Sequence, residues 1–313
     1  MADALMAVKH GPFKSFALVL GSLLALSMLV WAWQNADPLA LKQLWFAVPL
    51  WGWLLAAVLW AGSFVLRAER LRQEWKWKRQ VAWREAMRVV LLHNAAVLLM
   101  PMRAGELGYP LLVKQVFGAS WQASVRSLLW LRLQDLLVLA TLAVCLWPGF
   151  SWVWRVGAAL IWVGLVAAPA SLWLWLLKRR FKGMATVRSL MHRRSGLAGW
   201  CLSWGNWVLK LTAVAGLLYS LAPQGFSLGL EQALAGALGG ELAALLPVQG
   251  PGGLGTYEAG VWLFSGLPLD AAPLMGLTAL GVHTFCLAIS LGLAGAWSLG
   301  SWPAVAAFLN PKR

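Results

Sequence analysis

Apolar runs of about 20 residues recur along this chain, and a helix of that length spans the roughly 30 Å of hydrocarbon in a bilayer. They fall at about 16–33, 44–66, 127–147, 152–177, 199–221 and 274–300. Backbone N–H and C=O groups find no water at that depth, so such runs must satisfy them within helices. The expectation is an all-α polytopic membrane protein with about six spanning helices, in a single integral membrane domain over residues 1–313. Composition agrees, with 60% hydrophobic residues against 12% charged and a mean hydropathy of +0.69. Met1 to Trp33 begins basic and turns apolar, with no small-x-small cleavage site before Asp37, so it reads as a first helix rather than a removed leader.

The net charge of +15 is placed as membrane topology requires rather than as a nucleic-acid footprint. Bases gather in "RAERLRQEWKWKRQVAWREAMR" (Arg67 to Arg88) and in "KRRFKGMATVRSLMHRR" (Lys178 to Arg194). The segments at 34–41, 148–151, 222–230 and 266–273 contain no Lys or Arg. By the positive-inside rule the basic segments and both termini are cytoplasmic. With Trp75, Trp77 and Trp83 among its bases, Arg67 to Arg88 suits a helix on the anionic inner leaflet as well as it suits an ordinary basic loop. No substrate contact is assigned to it.

Two further apolar stretches are interrupted. "LLHNAAVLLMPMRAGELGYPLLVKQ" runs into Pro101, Arg103, Gly105 and Glu106, and "ELAALLPVQGPGGLGTYEAGVWLF" breaks at its Pro/Gly cluster. Arg88 and Lys178 are both on the cytoplasmic side, and the two runs between them already make one full excursion. The first interrupted stretch must then enter and leave from the same face, and the same count makes the second enter and leave from the outer face. Two opposed re-entrant hairpins are expected, at about 89–122 and 231–266. Non-helical backbone at membrane depth is tolerated where protein or a wet cavity satisfies it, so both breaks should face a shared interior. "LLMPMRAGELG" and "LLPVQGPGGLG" also resemble each other, which suggests an inverted repeat with a site at its interface.

A charged side chain at mid-membrane costs about 2.5–3.5 kcal/mol on insertion scales, so each needs a partner or a task. Arg103 and Glu106 are three apart and can pair, as can Arg132 and Asp135, while Lys210 and Glu241 can meet across the interior. Arg103 stands at an open backbone break, where its planar fork suits a phosphate. In the second break Gly252, Gly253 and Gly255 lead into a helix starting near Thr256, whose free N–H groups make an anion site. Tyr257 and Glu258 open that helix; Glu258 either acts on substrate or stabilises the helix start.

Enzymatic chemistry is not expected. Cys145, Cys201 and Cys286 lie within apolar runs, and His93 and His283 read as hydrogen-bonded core histidines. The sequence has no metal-ligand spacing, no P-loop for direct ATP drive, and no Ser/His or Cys/His constellation. No cofactor or metal is expected.

With "PMRAGELG" (Pro101 to Gly108), "RLQD" (Arg132 to Asp135) and "LPVQGPGGLGTYE" (Leu246 to Glu258), the chain resembles the lysylphosphatidylglycerol synthase transmembrane-domain family. It departs from the family pattern at Leu131, where an acid is common, and at Tyr109 and Pro110, where a base often follows. The resemblance implies a bacterial inner-membrane protein that moves a lipid between leaflets, either a phospholipid, notably aminoacylated phosphatidylglycerol, or an isoprenoid-linked lipid, without the soluble aminoacyl transferase domain of larger members. On that reading Arg103, Glu106, Arg132, Asp135, Gly252, Gly253, Gly255, Tyr257 and Glu258 contact substrate. Glu106 and Glu258 would meet a cationic headgroup or a coupling proton. Membrane lipids are the partners, with a lipid-modifying enzyme as a further one. The rival readings are an intramembrane lipid-modifying transferase and a non-transporting scaffold.

Overall fold

The computed structural model describes residues 45–76, 79–147, 149–167, 196–221, 228–246, 249 and 251–300, with Leu23, Leu26, Ser27 and Val30. Most of the expected first span, the loop at 34–41, the basic segment at 178–194 and both termini lie outside the described residues.

Every regular element among them is helical. In chain order these are α1 (Leu50–Trp75), α2 (Trp83–Leu99), a 3-10 segment (Pro101–Leu107), α3 (Gly108–Phe117), α4 (Trp121–Leu146) and α5 (Trp152–Ala167). Then come α6 (Gly196–Ser220), α7 (Leu230–Ala243), a 3-10 turn (Pro251–Gly253), α8 (Thr256–Ser265), a 3-10 turn (Leu269–Ala271) and α9 (Ala272–Gly300). Four stretches among the described residues have the length and apolarity to cross a membrane: Leu50–Trp75, Trp121–Leu146, Leu197–Ser220 and Leu269–Ser298. They bracket the two interrupted segments, one on each side of each. The rest of the apolar run that α5 begins lies outside the described residues.

One expectation changes here. No Gly or Pro occurs between Arg67 and Arg88, and α1 runs on through the basic stretch to Trp75. The end of α1 is not laid on a surface, because Arg70, Leu71, Glu74 and Trp75 are all buried. The basic segment is therefore divided between the end of one long helix and the start of α2, and it brings two arginines into the interior.

Packing explains how the breaks are held. α6 lies along α1, while α9 packs against α2, α8 and α1, and α7 packs closely on α8. That last contact is a small-residue seam: a Cβ on Gly239 would stand 2.3 Å from the carbonyl oxygen of Gly260. Backbones approach this closely only where side chains are absent.

The first break follows from Pro101, which disfavours helical backbone at the residue before it. Met100 is extended (φ −91°, ψ 129°), and a 3-10 segment then turns the chain into α3. The second break is a turn with positive φ at Gly252 (66°), Gly253 (82°) and Gly255 (85°), a region open to Gly at little cost. The two breaks touch each other.

Candidate functional site

Arg103 is the centre of the first break. It is the one non-Gly residue with positive φ among the described residues, at 54°. Such a backbone costs on the order of 1–3 kcal/mol and persists where surrounding bonds over-determine it. Those bonds are present: its guanidinium donates to the carbonyl of Ala244, in the second break, and to Glu106 Oε1. The expected Arg103–Glu106 pair thus forms, and the same fork ties the breaks together.

Glu106 gathers further donors. Arg132 reaches it with its Nη2 at 2.6 Å and Nε at 3.3 Å, and His93 Nε2 lies 3.4 Å away. The Arg132 and Asp135 side chains, expected to pair, are in loose contact at 3.9 Å, because each has a better partner. Asp135 takes a two-point ion pair from Arg70 at 2.6 and 3.0 Å, together with Ser203 Oγ at 3.0 Å and Trp207 Nε1 at 3.1 Å. Its carboxylate joins α1, α4 and α6, and both members of the ion pair are buried. The geometry of Asp135 is that of a brace.

In the second break the carboxylate of Glu258 does two things at once. Oε2 accepts the Gly255 N–H at 2.7 Å, and Oε1 lies 2.7 Å from His283 Nδ1 on α9. Tyr257 stacks on the same imidazole with ring centroids 4.0 Å apart. The expectation of an open anion site at this helix start is modified, since a carboxylate from the first turn already accepts the Gly255 N–H.

These parts enclose a cavity of about 120 Å³. That volume suits a polar headgroup rather than acyl chains, since pockets for drug-sized ligands run to several hundred Å³. Of the residues expected from sequence, Arg103, Arg132, Asp135, Gly252, Gly253 and Tyr257 line it. Glu106 and Glu258 stand behind the wall, bonded to Arg103, Arg132 and His283, and Gly255 is not on it. The Lys210–Glu241 pair does form, at 2.6 Å, and both residues line the cavity.

Sequence reasoning missed the contribution of α1 and α6. Trp60, Arg67, Asn206 and Trp207 share the wall, and Arg70 braces it from behind. The signal was available in the spacing: Arg67, Arg70 and Glu74 fall at helical intervals in a stretch with no breaker. His93 and His283 are buried and bonded as expected of core histidines, but their partners are the two carboxylates of the breaks.

A second cavity of about 890 Å³ lies among α1, α2, α3 and α9. Phe64, Val65, Leu91, Leu112, Val116 and Leu293 wall it, and it also touches Arg84, Glu85 and Arg88. No group of three His, Cys, Asp or Glu among the described residues is disposed to hold a metal ion.

No curated protein and no solved structure matches the chain. The family described as the lysylphosphatidylglycerol synthase TM region matches residues 18–309. With its long apolar helices and that match over nearly its whole length, this membrane-embedded protein belongs to the lysylphosphatidylglycerol synthase TM-region family, which ties its function to membrane lipids.

Proposed function

We propose that the protein moves a phospholipid, aminoacylated or not, or an isoprenoid-linked lipid between the leaflets of the bacterial inner membrane. The observation that carries this reading is the meeting of two helix breaks at one charged cavity, through the bond from Arg103 to the Ala244 carbonyl. Ionisable side chains inside a membrane are costly and mark substrate pathways. The larger cavity beside α2 supports it, because its apolar walls offer room for acyl chains.

The architecture proposed is six spanning helices and two re-entrant hairpins dipping from opposite faces, related as an inverted repeat. Helix lengths support it: α3 and α8 have 10 residues each, so each is roughly 15 Å long, about half the hydrocarbon thickness. Basic segments and both termini would face the cytoplasm. Any driving force would be a gradient or mass action, and the Glu258–His283 pair is the natural carrier for a coupling proton.

Purified protein in liposomes with a panel of labelled lipids tests the reading. A transporter moves label between leaflets unaided, a transferase changes the mass of the lipid, and a scaffold does neither. Transbilayer movement at the rate of protein-free vesicles for every headgroup would end the proposal.

A further inference from the structure

We propose that the headgroup taken by the central cavity is anionic and carries no amine, because Lys210 already fills the site's cation seat and Arg67 is left to bind a phosphate. This rests on the transport reading only for the identity of the ligand as a lipid.

Three observations lead there. The ammonium of Lys210 lies 4.5 Å from the Trp60 ring centroid and 4.9 Å from that of Trp207, with Glu241 Oε2 at 2.6 Å. Two indole faces and a carboxylate are the means by which proteins recognise an ammonium. Here that arrangement is complete with the protein's own side chain.

The other carboxylates are also committed. Glu106 is bonded to Arg103 and Arg132, Asp135 to Arg70, Ser203 and Trp207, and Glu258 to His283 and the Gly255 N–H. A substrate ammonium would find no uncommitted carboxylate among them. Arg67 is the opposite case. Its guanidinium lines the cavity, and its hydrogen bond goes to a neutral group, Asn94 Oδ1, at 3.1 Å. A half-buried guanidinium with no ion pair among the described residues calls for an anion.

The third observation is Tyr257. Its hydroxyl is buried on the wall and has no hydrogen-bond partner among the described residues, whereas buried polar groups normally do. A phosphate oxygen would accept from it. Asn206 Oδ1, on the same wall, has no hydrogen-bond partner among the described residues and would accept from a headgroup hydroxyl. Phosphate with a neutral polyol satisfies both.

The test is binding of short-chain phosphatidylglycerol, phosphatidylethanolamine and lysyl-phosphatidylglycerol to the full chain in detergent, read by native mass spectrometry. Glycerol 1-phosphate serves as the free-phosphate probe. Phosphatidylglycerol should bind at least tenfold tighter than either amine lipid, and Arg67→Gln should lose about tenfold for it with an unchanged melting temperature. Lys210→Met should narrow the preference by admitting an ammonium between Trp60 and Trp207. Equal or tighter binding of the amine lipids to the unaltered protein would overturn the inference, as would an Arg67→Gln variant that binds phosphatidylglycerol normally. The unaltered ranking needs no variant, so a Lys210→Met protein that does not fold leaves the test intact. Competition by glycerol 1-phosphate at the lipid's own concentration would make a free phosphate the ligand. Selective binding without transbilayer movement in liposomes would sink the transport reading and leave the headgroup inference standing.

Discussion

Arg103 and Ala244 are 141 residues apart in the chain, and the guanidinium of the first donates to the carbonyl of the second. Each lies at a helix break, so the bond satisfies a carbonyl freed where α7 ends while fixing the fork that also holds Glu106. Lys has a single ammonium on a flexible stem and cannot reproduce a planar two-point contact. Arg103→Lys is expected to lose most lipid transport in reconstituted vesicles, and Arg103→Ala nearly all, with membrane levels of the protein maintained. Transport by Arg103→Ala at the unaltered rate would reduce the residue to a structural charge.

The Arg70–Asp135 pair should behave differently, as stability rather than activity. Removing one partner of a buried ion pair leaves the other uncompensated and costs about 3–5 kcal/mol, whereas replacing both by apolar groups of similar volume can be nearly neutral. Asp135→Ala should therefore melt far below the unaltered protein in detergent, and Arg70→Met combined with Asp135→Leu should recover most of the loss. An unshifted melting temperature in Asp135→Ala would show that the three-helix brace carries no weight.

Much of this arrangement was legible in the sequence, and the limits have physical causes. The helix breaks are written in Pro101 and in the Gly252 to Gly255 cluster, since backbone rules act locally. The Arg103–Glu106 pair could be read from spacing of three, and Lys210–Glu241 was named, but nothing short of packing could pair residues 31 apart. Spacing misled for Arg132 and Asp135, because partners on α1 and in the first break bind each better than they bind each other. Arg67 and Arg70 were hidden by their company. In a run of bases the default reading is a solvated segment, and only the unbroken helical pattern argued otherwise.

The α7–α8 seam yields a packing test with an internal control. A methyl on Gly239 would collide with the carbonyl of Gly260, which is backbone and cannot move aside cheaply. Gly239→Ala should destabilise by about 1–3 kcal/mol as an overpacked contact. A Cβ on Gly216 of α6 meets nothing within 4 Å, so Gly216→Ala should be neutral or stabilising by up to roughly 1 kcal/mol. Equal melting temperatures for the two variants would contradict the seam.

Topology is checked by single cysteines at Ala119, between α3 and α4, and at Asp270, exposed between α8 and α9. On an otherwise Cys-free chain, a membrane-impermeant maleimide should label position 119 from the cytoplasmic side and position 270 from the outside. Labelling of position 119 from outside would turn the first hairpin into a full crossing and remove the inverted repeat.

Glu258 separates structure from chemistry most sharply, because its two oxygens have different partners. Oε2 takes the Gly255 N–H, a helix-start contact worth about 0.3–1 kcal/mol, or up to ~2 when partly buried. Oε1 takes His283 Nδ1, in a pair with 7% and 2% side-chain exposure, where a proton has two adjacent sites and little water to compete for it. Gln keeps an acceptor for the Gly255 N–H but can neither carry a charge nor release a proton. If Glu258 only caps α8, Glu258→Gln should transport lipid normally. If the pair carries a coupling proton, Glu258→Gln should fold, reach the membrane and transport poorly. Glu258→Asp should retain part of the activity, since a shorter carboxylate keeps the charge. His283→Gln should then resemble Glu258→Gln, and the double variant should be no worse than either single one, because residues acting as a unit lose their shared function once. Wild-type transport by Glu258→Gln would leave the carboxylate as a cap alone, and the coupling step would have to be sought elsewhere.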